Sequence, residues 1–579
     1  MPEESVIAAG APDQPTAQQE TNTRVARATG VLALGNILSR ALGMAREIVI
    51  TTLFGASRAT DAFYAATIVP KTLYDLLIAG HVNSAIVPVL SEIDAKEGRV
   101  AFWHVVSVLV SLLTVILSLL VLLIMAFAPQ VITLVGSGYS AETVGLAAGL
   151  LRLTAPALIF LGLFSAMSGA LYALHQFTWP ALAGVVFNGC IVLVTLLAVP
   201  PVQVTAQILP GTLPDFSYAR PEWAIQSAAL GWMVGSAAQA LVQIPGLRGS
   251  RLRLSLNFRH PSIRQIAKLY APVMFTLIVD TLVVRTFSYN LASNTVEGAL
   301  GYMNWATTLI QFPQGLVATA ISVAILPTLS RFAALMAMGS TPDMAGDDAS
   351  AMASGASQDN TQAFKDTLGL GLRLSIVLML PAAVGLFVLA TPIVSLIFQR
   401  GAFNATDTAI TADALRLYLI GLPFAAVDLL LVYAFYARQD TLTPALIGLV
   451  SFGVYLVTAV LLLPVIGLFS LMVADSLKHI SHALISAVLL QRRLNGLGKQ
   501  RIFSTLAKAG FAAAAMGLLA LVTEPLLESV VGMSSTLREA IVVAVAAGLG
   551  GAAYVGIATL LKVDELAWMA GMVRRRLGR

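Results

Sequence analysis

The chain has 579 residues, of which 57% are hydrophobic and only 11% charged, with a formal net charge of +5. A soluble globular domain carries about 25% charged residues, so this composition excludes one. Apolar runs of about 20 residues recur along the whole length, each long enough to cross a hydrocarbon core of about 30 Å, which describes an all-α polytopic membrane protein. The single cysteine, Cys190, lies in the apolar run "GVVFNGCIVLVTLLAV" and offers neither an internal disulfide nor a metal or redox motif.

Residues 1–24 are polar and read as a disordered tail, without the apolar stretch behind a basic start that a cleaved signal needs. About fourteen spans follow, starting near residues 28, 60, 101, 145, 180, 224, 265, 298, 366, 408, 442, 466, 503 and 537. The second and eighth are long and interrupted by prolines. The expected organisation is a first lobe at 25–250, a second lobe begun at 251–338 and completed at 363–495, and a terminal pair of spans with a basic tail at 496–579. Between the two parts of the second lobe, residues 339–362 are rich in Ser, Ala, Gly and Asp without periodicity and read as a flexible loop.

Basic residues set the orientation. With the N-terminus inside, the inner segments carry Arg24 and Arg27, Lys96 and Arg99, "RGSRLRLSLNFRHPSIR", Arg331 and Lys365, Arg438, "QRRLNGLGKQR" and "MVRRRLGR". The outer loops hold little beyond Arg58, Arg220, Arg400 and Arg538. That alternation follows the positive-inside rule and makes both termini cytoplasmic. Beside membrane spans, the Arg-rich run 248–264 suits anionic lipid headgroups and not nucleic acid.

The chain also repeats itself. "SAIVPVLSE" at 84–92 returns as "VAILPTLSR" at 323–331, and "ALYALHQFTWPALAG" at 170–184 returns as "AFYARQDTLTPALIG" at 434–448. Each unit holds about six spans, an even number, so the two units share one orientation, as in parallel-repeat secondary transporters whose substrate site lies between the halves. The last two spans fall outside the repeat.

One short segment, "SRALGMAREIVITTLFGASRATD" at 39–61, stands out by its charge. On a helix Asn36, Ser39, Arg40, Gly43, Arg46 and Glu47 share a face, opposite Ile37, Leu38, Ala41, Leu42, Ala45 and Ile48. A charge at bilayer depth costs at least about 2.5 kcal/mol unless it faces water or a partner. Two readings are open: a hydrated cavity lined by this stripe, or Arg46 and Glu47 snorkelling at the membrane edge. Arg40, further in on the same face, favours the cavity, and Glu47 and Asp61 offset part of its charge. Arginine's planar fork matches phosphate or carboxylate, which points to an exporter or flippase of an anionic amphiphile.

At these residues the sequence resembles the MurJ (MviN) family of lipid II flippases, in the multidrug/oligosaccharidyl-lipid/polysaccharide exporter superfamily. The likeness runs through "SRALGMAREIVITTLFGASRATDAFYAATIVP", "SAIVPVLSE", "LGLGLRLSIVLMLPAAVGL", "IFQRGAF" and "AFYARQDTLTP" and covers roughly residues 25–560. It implies fourteen helices in two six-helix lobes plus a terminal pair forming a hydrophobic groove. It also implies a central cavity that moves a lipid-linked peptidoglycan precursor by alternating access. By this resemblance Arg40 and Arg46 are pyrophosphate-binding candidates, Asp61 is a gating or pairing partner, and the protein is a monomer in the bacterial cytoplasmic membrane near cell-wall synthesis proteins.

Some positions depart from the family pattern. Tyr74 stands where the family usually has an arginine, with Lys71 and Asp75 close by. Thr308 replaces another arginine and Gln311 an acidic residue. Arg285, with Asp280 five residues before it, either restores a cavity cation or sits at the interface near a helix end. Some relatives bind sodium late in the second lobe, but the matching span "PALIGLVSFGVYLVTAVLLLP" has no carboxylate. Asp475, Lys478 and His479 lie at i, i+3 and i+4, which makes them either a coupling site or a neutralised structural pair, and Asp428 is another intramembrane carboxylate.

An enzyme acting on polyprenyl phosphates needs acidic or histidine constellations in sizeable aqueous loops. The longest outer loop, 200–222, offers Asp215 and Glu222 without a paired arrangement. There is no Gly-rich phosphate loop followed by Lys and Ser or Thr, no metal-ligand spacing among the histidines and nothing that calls for a cofactor. By the resemblance, the expected function is lipid II flipping. A flippase for another polyprenyl-pyrophosphate glycan is the alternative, and a drug or cation antiporter falls behind both because the cavity leans basic. Membrane potential, sodium and protons all stay open as driving forces.

Overall fold

The computed structural model describes residues 17–76, 86–197, 222–250, 252–253, 255, 257, 260–268, 284–315, 319–338, 347–531, 536–567, 569 and 571. Among them every regular element is a helix. In chain order these are α1 (Ala17–Phe54), α2 (Arg58–Tyr74), α3 (Val87–Ala126), α4 (Ala128–Val135), α5 (Ala141–Thr154), α6 (Ala157–Ala173), α7 (Thr178–Leu197) and α8 (Gln226–Leu241). Then follow α9 (Arg285–Ser293), α10 (Ala299–Pro313), α11 (Thr319–Met338), α12 (Asp347–Val388), α13 (Ala390–Phe398), α14 (Ala405–Ala437), α15 (Leu442–Ile466), α16 (Phe469–Arg493), α17 (Ile502–Val531) and α18 (Thr536–Leu560).

Nine helical segments among the described residues are long and apolar enough to cross a bilayer: α3, the α5–α6 pair, α7, α12, and α14 to α18. The spans expected near 28, 60, 224 and 298 fall on α1, α2, α8 and α10, and the one near 265 runs into residues 269–283, outside the described set. Residues 347–361, expected in a flexible loop, are instead the first turns of α12, and 17–24, expected in the tail, open α1. Alanine-rich composition favours helix over coil.

The repeat is visible in backbone geometry. α6 and α14 end alike, with His175 and Gln439 in the left-handed region at φ 57° and 58°. In each, an N–H reaches back over the last turn, Gln176 to Leu171 O at 2.8 Å and Asp440 to Phe435 O at 3.0 Å. The pattern continues upstream. α3 breaks at Phe127 into the short α4, and α12 breaks at Leu389 into the short α13. Ser140 and Asn404 then cap α5 and α14 through their side chains.

α1 to α8 form one bundle and α9 to α16 a second, with α17 and α18 packed against α12 and α13. Arg373 of α12 pairs with Glu565, and Tyr554 of α18 donates to Val377 O at 2.7 Å. The bundles meet around Trp305 of α10, which is wholly buried among Tyr64, Tyr302, Phe398 and Phe403, with ring centroids 5.2 to 6.4 Å away.

At the end carrying the α1–α2 turn, the bundles also touch through two matching tips. Gly138, after α4, donates to Ser293 Oγ at 3.1 Å, and Ala402, after α13, donates to Thr52 O at 2.9 Å. Each tip thus lies on the end of the other bundle's first helix. Both approaches need glycine: a Cβ on Gly138 would overlap the Ser293 carbonyl, and one on Gly55, at φ 58°, would overlap that of Ala402.

Candidate functional site

Between the bundles lies a cavity of about 250 Å³. Its walls come from Arg46 and Glu47 of α1, Tyr64, Thr67, Lys71 and Tyr74 of α2, with Asp75 after it, and Phe164, Phe187, Trp232 and Gln239 of α6 to α8. Tyr289 of α9 and Asn304 of α10 close it from the second bundle. The wall is mixed, with an apolar side from the first bundle and a charged strip along α1 and α2.

Arg46 is held on three sides. Its Nε and Nη2 donate to Glu47 Oε1 at 3.0 and 2.5 Å, and Nη1 donates to Asn188 Oδ1 at 3.0 Å. Asn188 is itself oriented by donating to Gly184 O and Ser39 O. Glu47, only 1% exposed, accepts from Tyr64 Oη at 2.6 Å and from Asn304 Nδ2 at 2.9 Å across the bundle interface. Trp305 Nε1 donates to Tyr64 Oη at 3.0 Å. The buried carboxylate is therefore satisfied on both oxygens and paired with a cation, the condition for a charge at this depth.

Lys71 lines the same cavity and has no ion-pair partner among the described residues. Asp75 is engaged by Arg285 Nη1 at 2.7 Å, a second bridge between the bundles. The resulting set of cations is Arg46, held by a carboxylate that can release it, and Lys71 beside it. Such a set can exchange its internal anion for a phosphate-bearing ligand.

The structure separates residues that the helical stripe had grouped. Arg46, Glu47 and Tyr74 line the cavity, whereas Asn36 and Arg40 do not. Asn36 is exposed, and Arg40 crosses to donate to Gln311 O at 2.7 Å. Ser39 and Gly43 lie against Gly184 and Asn188 of α7. The stripe serves partly as a close helix–helix seam. Arg285 joins the site through Asp75. Asp280 lies outside the described residues. Thr308 donates to Asn304 O of its own helix at 2.8 Å.

Asp61 is not in the cavity. It is 4% exposed and accepts from Gly298 N–H at 2.8 Å and Leu300 N–H at 3.0 Å, so a carboxylate of the first bundle caps α10 of the second. Beside it, Glu297 accepts from Arg58 N–H at 2.8 Å. Asp475, Lys478 and His479 come together, but within the second bundle. Asn188, Tyr64, Asn304 and Lys71 were missed or passed over as site residues. A lone asparagine inside "VVFNGC" was the one signal available for Asn188, since burying an amide in an apolar span costs free energy unless it is bonded.

A second cavity, of about 640 Å³, lies where α3 meets residues 246–255 and is lined by Arg99, Trp103, His104, Arg248 and Arg253. The chain there is pinned to α3 by Arg253 and Ser255 N–H groups donating to Ser107 and Ser111 Oγ, each at 3.0 Å.

Comparison with known proteins decides the family. The model for "Lipid II flippase MurJ" matches residues 50–342 and 349–539. The chain belongs to the MurJ lipid II flippase family. A MurJ relative from Burkholderia cenocepacia is 31% identical over 432 residues, 73% of this chain and 74% of its own length. A probable lipid II flippase MurJ from Vibrio cholerae is 27% identical over 551 residues, 92% and 95% of the two chains. Among solved structures, "Lipid II flippase MurJ, inward closed conformation" aligns with a TM-score of 0.71 at 20% identity, covering 92% of this chain and 99% of that one. An inward-facing multidrug transporter of the MATE family aligns at 0.60 with 12% identity, covering 80% of this chain. Both carry the same fold, and the MurJ assignment accounts for the multi-pass helical architecture.

Proposed function

We propose that this chain moves lipid II, the lipid-linked peptidoglycan precursor, across the bacterial cytoplasmic membrane by alternating access, with the diphosphate taken up by Arg46 and Lys71. The chain is a transporter and not an enzyme. One observation carries the site assignment: Arg46 and Lys71 face one inter-bundle cavity, and the partner of Arg46 is an internal carboxylate. A diphosphate entering the cavity replaces Glu47 on the Arg46 fork. Glu47 keeps its bond to Asn304 only while the bundles stay together, so binding and bundle separation are linked through one side chain.

In this reading both termini are cytoplasmic, the first lobe spans 25–250, and the second spans 251–495 around its loop. The tips at Gly138 and Ala402 close the outer rim. The basic cavity at Arg99, Arg248 and Arg253 lies against anionic lipid of the inner leaflet, and the protein works as a monomer beside the enzymes that use its product. Asp61 acts as the rim latch.

The test is growth of a bacterium depleted of its own lipid II flippase, with wild type, Arg46→Ala and Lys71→Ala at matched membrane levels. Rescue by wild type and failure of Arg46→Ala are expected. If the inserted wild type fails to rescue and does not flip purified lipid II in vesicles, the substrate assignment is wrong. Tyr74 and Thr308, at usual arginine positions, would then direct the search to another diphosphate-linked glycan.

A further inference from the structure

Away from the inter-bundle cavity, α14, α15 and α16 enclose a second group of ionisable side chains. Lys478 Nζ donates to Asp475 Oδ1 at 2.6 Å, and His479 Nε2 lies 3.7 Å from Asp475 Oδ2. One turn on, His482 Nδ1 lies 2.7 Å from Asp428 Oδ1 of α14, with Ser486 Oγ 3.3 Å from the same nitrogen. α15 faces the group with Tyr455, whose ring centroid is 5.8 Å from Lys478 Nζ, and with Gly448 beside His482 Nε2. α14 adds the buried Tyr418, and α9 presents Ser288, which is hydrogen-bonded to Tyr455.

The charge count does not close. Among the described residues, two carboxylates and one ammonium leave one negative charge in excess while both imidazoles are neutral, and at membrane depth that is costly. One further positive charge completes the group. No cluster of His, Cys, Asp and Glu among the described residues can hold a metal ion, and Lys478 already fills the place beside Asp475. An imidazole is the side chain that changes charge most readily near neutral pH. With Nδ1–H donating to Asp428, the lone pair of His482 Nε2 is left to take a proton.

We propose that this group binds one proton, on His482, and couples its uptake and release to the movement of the two bundles. The proton adds to the Nε2 lone pair, giving an imidazolium beside the Asp428 carboxylate, and leaves when that N–H bond breaks. No other bond changes. The route to the bundles is short. Tyr455 Oη, next to Lys478, lies 2.6 Å from Ser288 Oγ on α9. One turn earlier on α9, Arg285 bridges to Asp75 of the first bundle, and at its other end Asn290 donates to Leu134 O and Ser293 accepts from Gly138. α9 therefore touches the first bundle at both ends and the ionisable group in its middle.

The test uses the full chain in liposomes without substrate, with Cys190→Ser and spin labels at Ala141→Cys and Ala409→Cys on opposite bundles. At constant sodium the ratio of near to far label distances is expected to shift at least about fivefold between the alkaline and the acid end of a pH series. Asp428→Asn, which makes the group neutral, is expected to hold the acid-side ratio at every pH. His482→Gln, which keeps it negative, is expected to hold the alkaline-side ratio. A flat wild-type profile, a profile moved by sodium at fixed pH, or wild-type titration in either folded variant would overturn the proposal. Lipid II flipping under an imposed pH gradient forms a separate arm. If the distances titrate but lipid II does not move, the substrate reading fails and the proton site stands.

Discussion

Arg46 and Glu47 are adjacent in sequence yet do different work, because Glu47 is buried and Arg46 is open to the cavity. Arg46→Ala removes the one cation bonded to that carboxylate among the described residues and is expected to destabilise this state by about 3 kcal/mol, seen as a lower melting temperature in detergent alongside loss of rescue. Glu47→Gln keeps both neutral bonds to Tyr64 and Asn304 and frees the guanidinium. Inorganic pyrophosphate should then bind about tenfold tighter, a change of about 1.4 kcal/mol, in a calorimetric titration of wild type against variant. Unchanged affinity would mean that Glu47 does not compete with the ligand. Periodicity and membrane cost single out Arg46 and Glu47 in the sequence, and both line the inter-bundle cavity. They could not separate Arg40 or Asn36 from these two, because a helical face holds both a cavity wall and a packing seam. Small residues at Ser39 and Gly43 were the sign of the seam.

α10 owes its start to another bundle. Gly298 and Leu300 N–H groups at its first turn are satisfied by Asp61 of α2, so the helix end and the rim contact are one interaction. Asp61→Asn is expected to weaken it by about 1 kcal/mol, moving the label distances of the previous section toward separation at every pH without changing the titration midpoint. Gly138→Val forces a branched side chain into the Ser293 carbonyl and should open the rim further, by the same readout. The resemblance offers Asp61 as a gating or pairing partner without naming what it meets: it lies in the first turn of α2 yet caps α10. Contacts between bundles are set by the pseudo-symmetric docking, and no local pattern in "GASRATD" encodes its partner at 298–300.

The fold itself was largely readable. Hydrophobic run length gave the helices, and the Tyr-to-Pro match at 172–180 and 436–444 gave a repeat that the paired left-handed turns at His175 and Gln439 express in the backbone. The helix at 347–361 was missed because its small polar residues mimic a linker, and the pairing of Asp428 with His482 spans 54 positions of sequence that no periodicity links. Bundle motion supplies the sharpest test of alternating access. Thr52→Cys with Ala402→Cys, in a Cys190→Ser background, places two thiols where the backbones already exchange a hydrogen bond. The oxidised protein is expected to stop flipping and to recover on reduction. Continued flipping when fully cross-linked would show that this rim does not open.

The docking of α17 and α18 on α12, through Arg373 with Glu565 and Tyr554 with Val377, makes the terminal pair a passenger of the second bundle. The two moving parts are then unequal in mass and in the membrane area they sweep. Viscous drag from the lipid falls more heavily on the larger body, so in the membrane frame the first bundle swings and the second stays nearly still. A bulky tag fused after α18 should therefore slow transport little, whereas the same tag on the exposed ends of the first bundle should act as a brake.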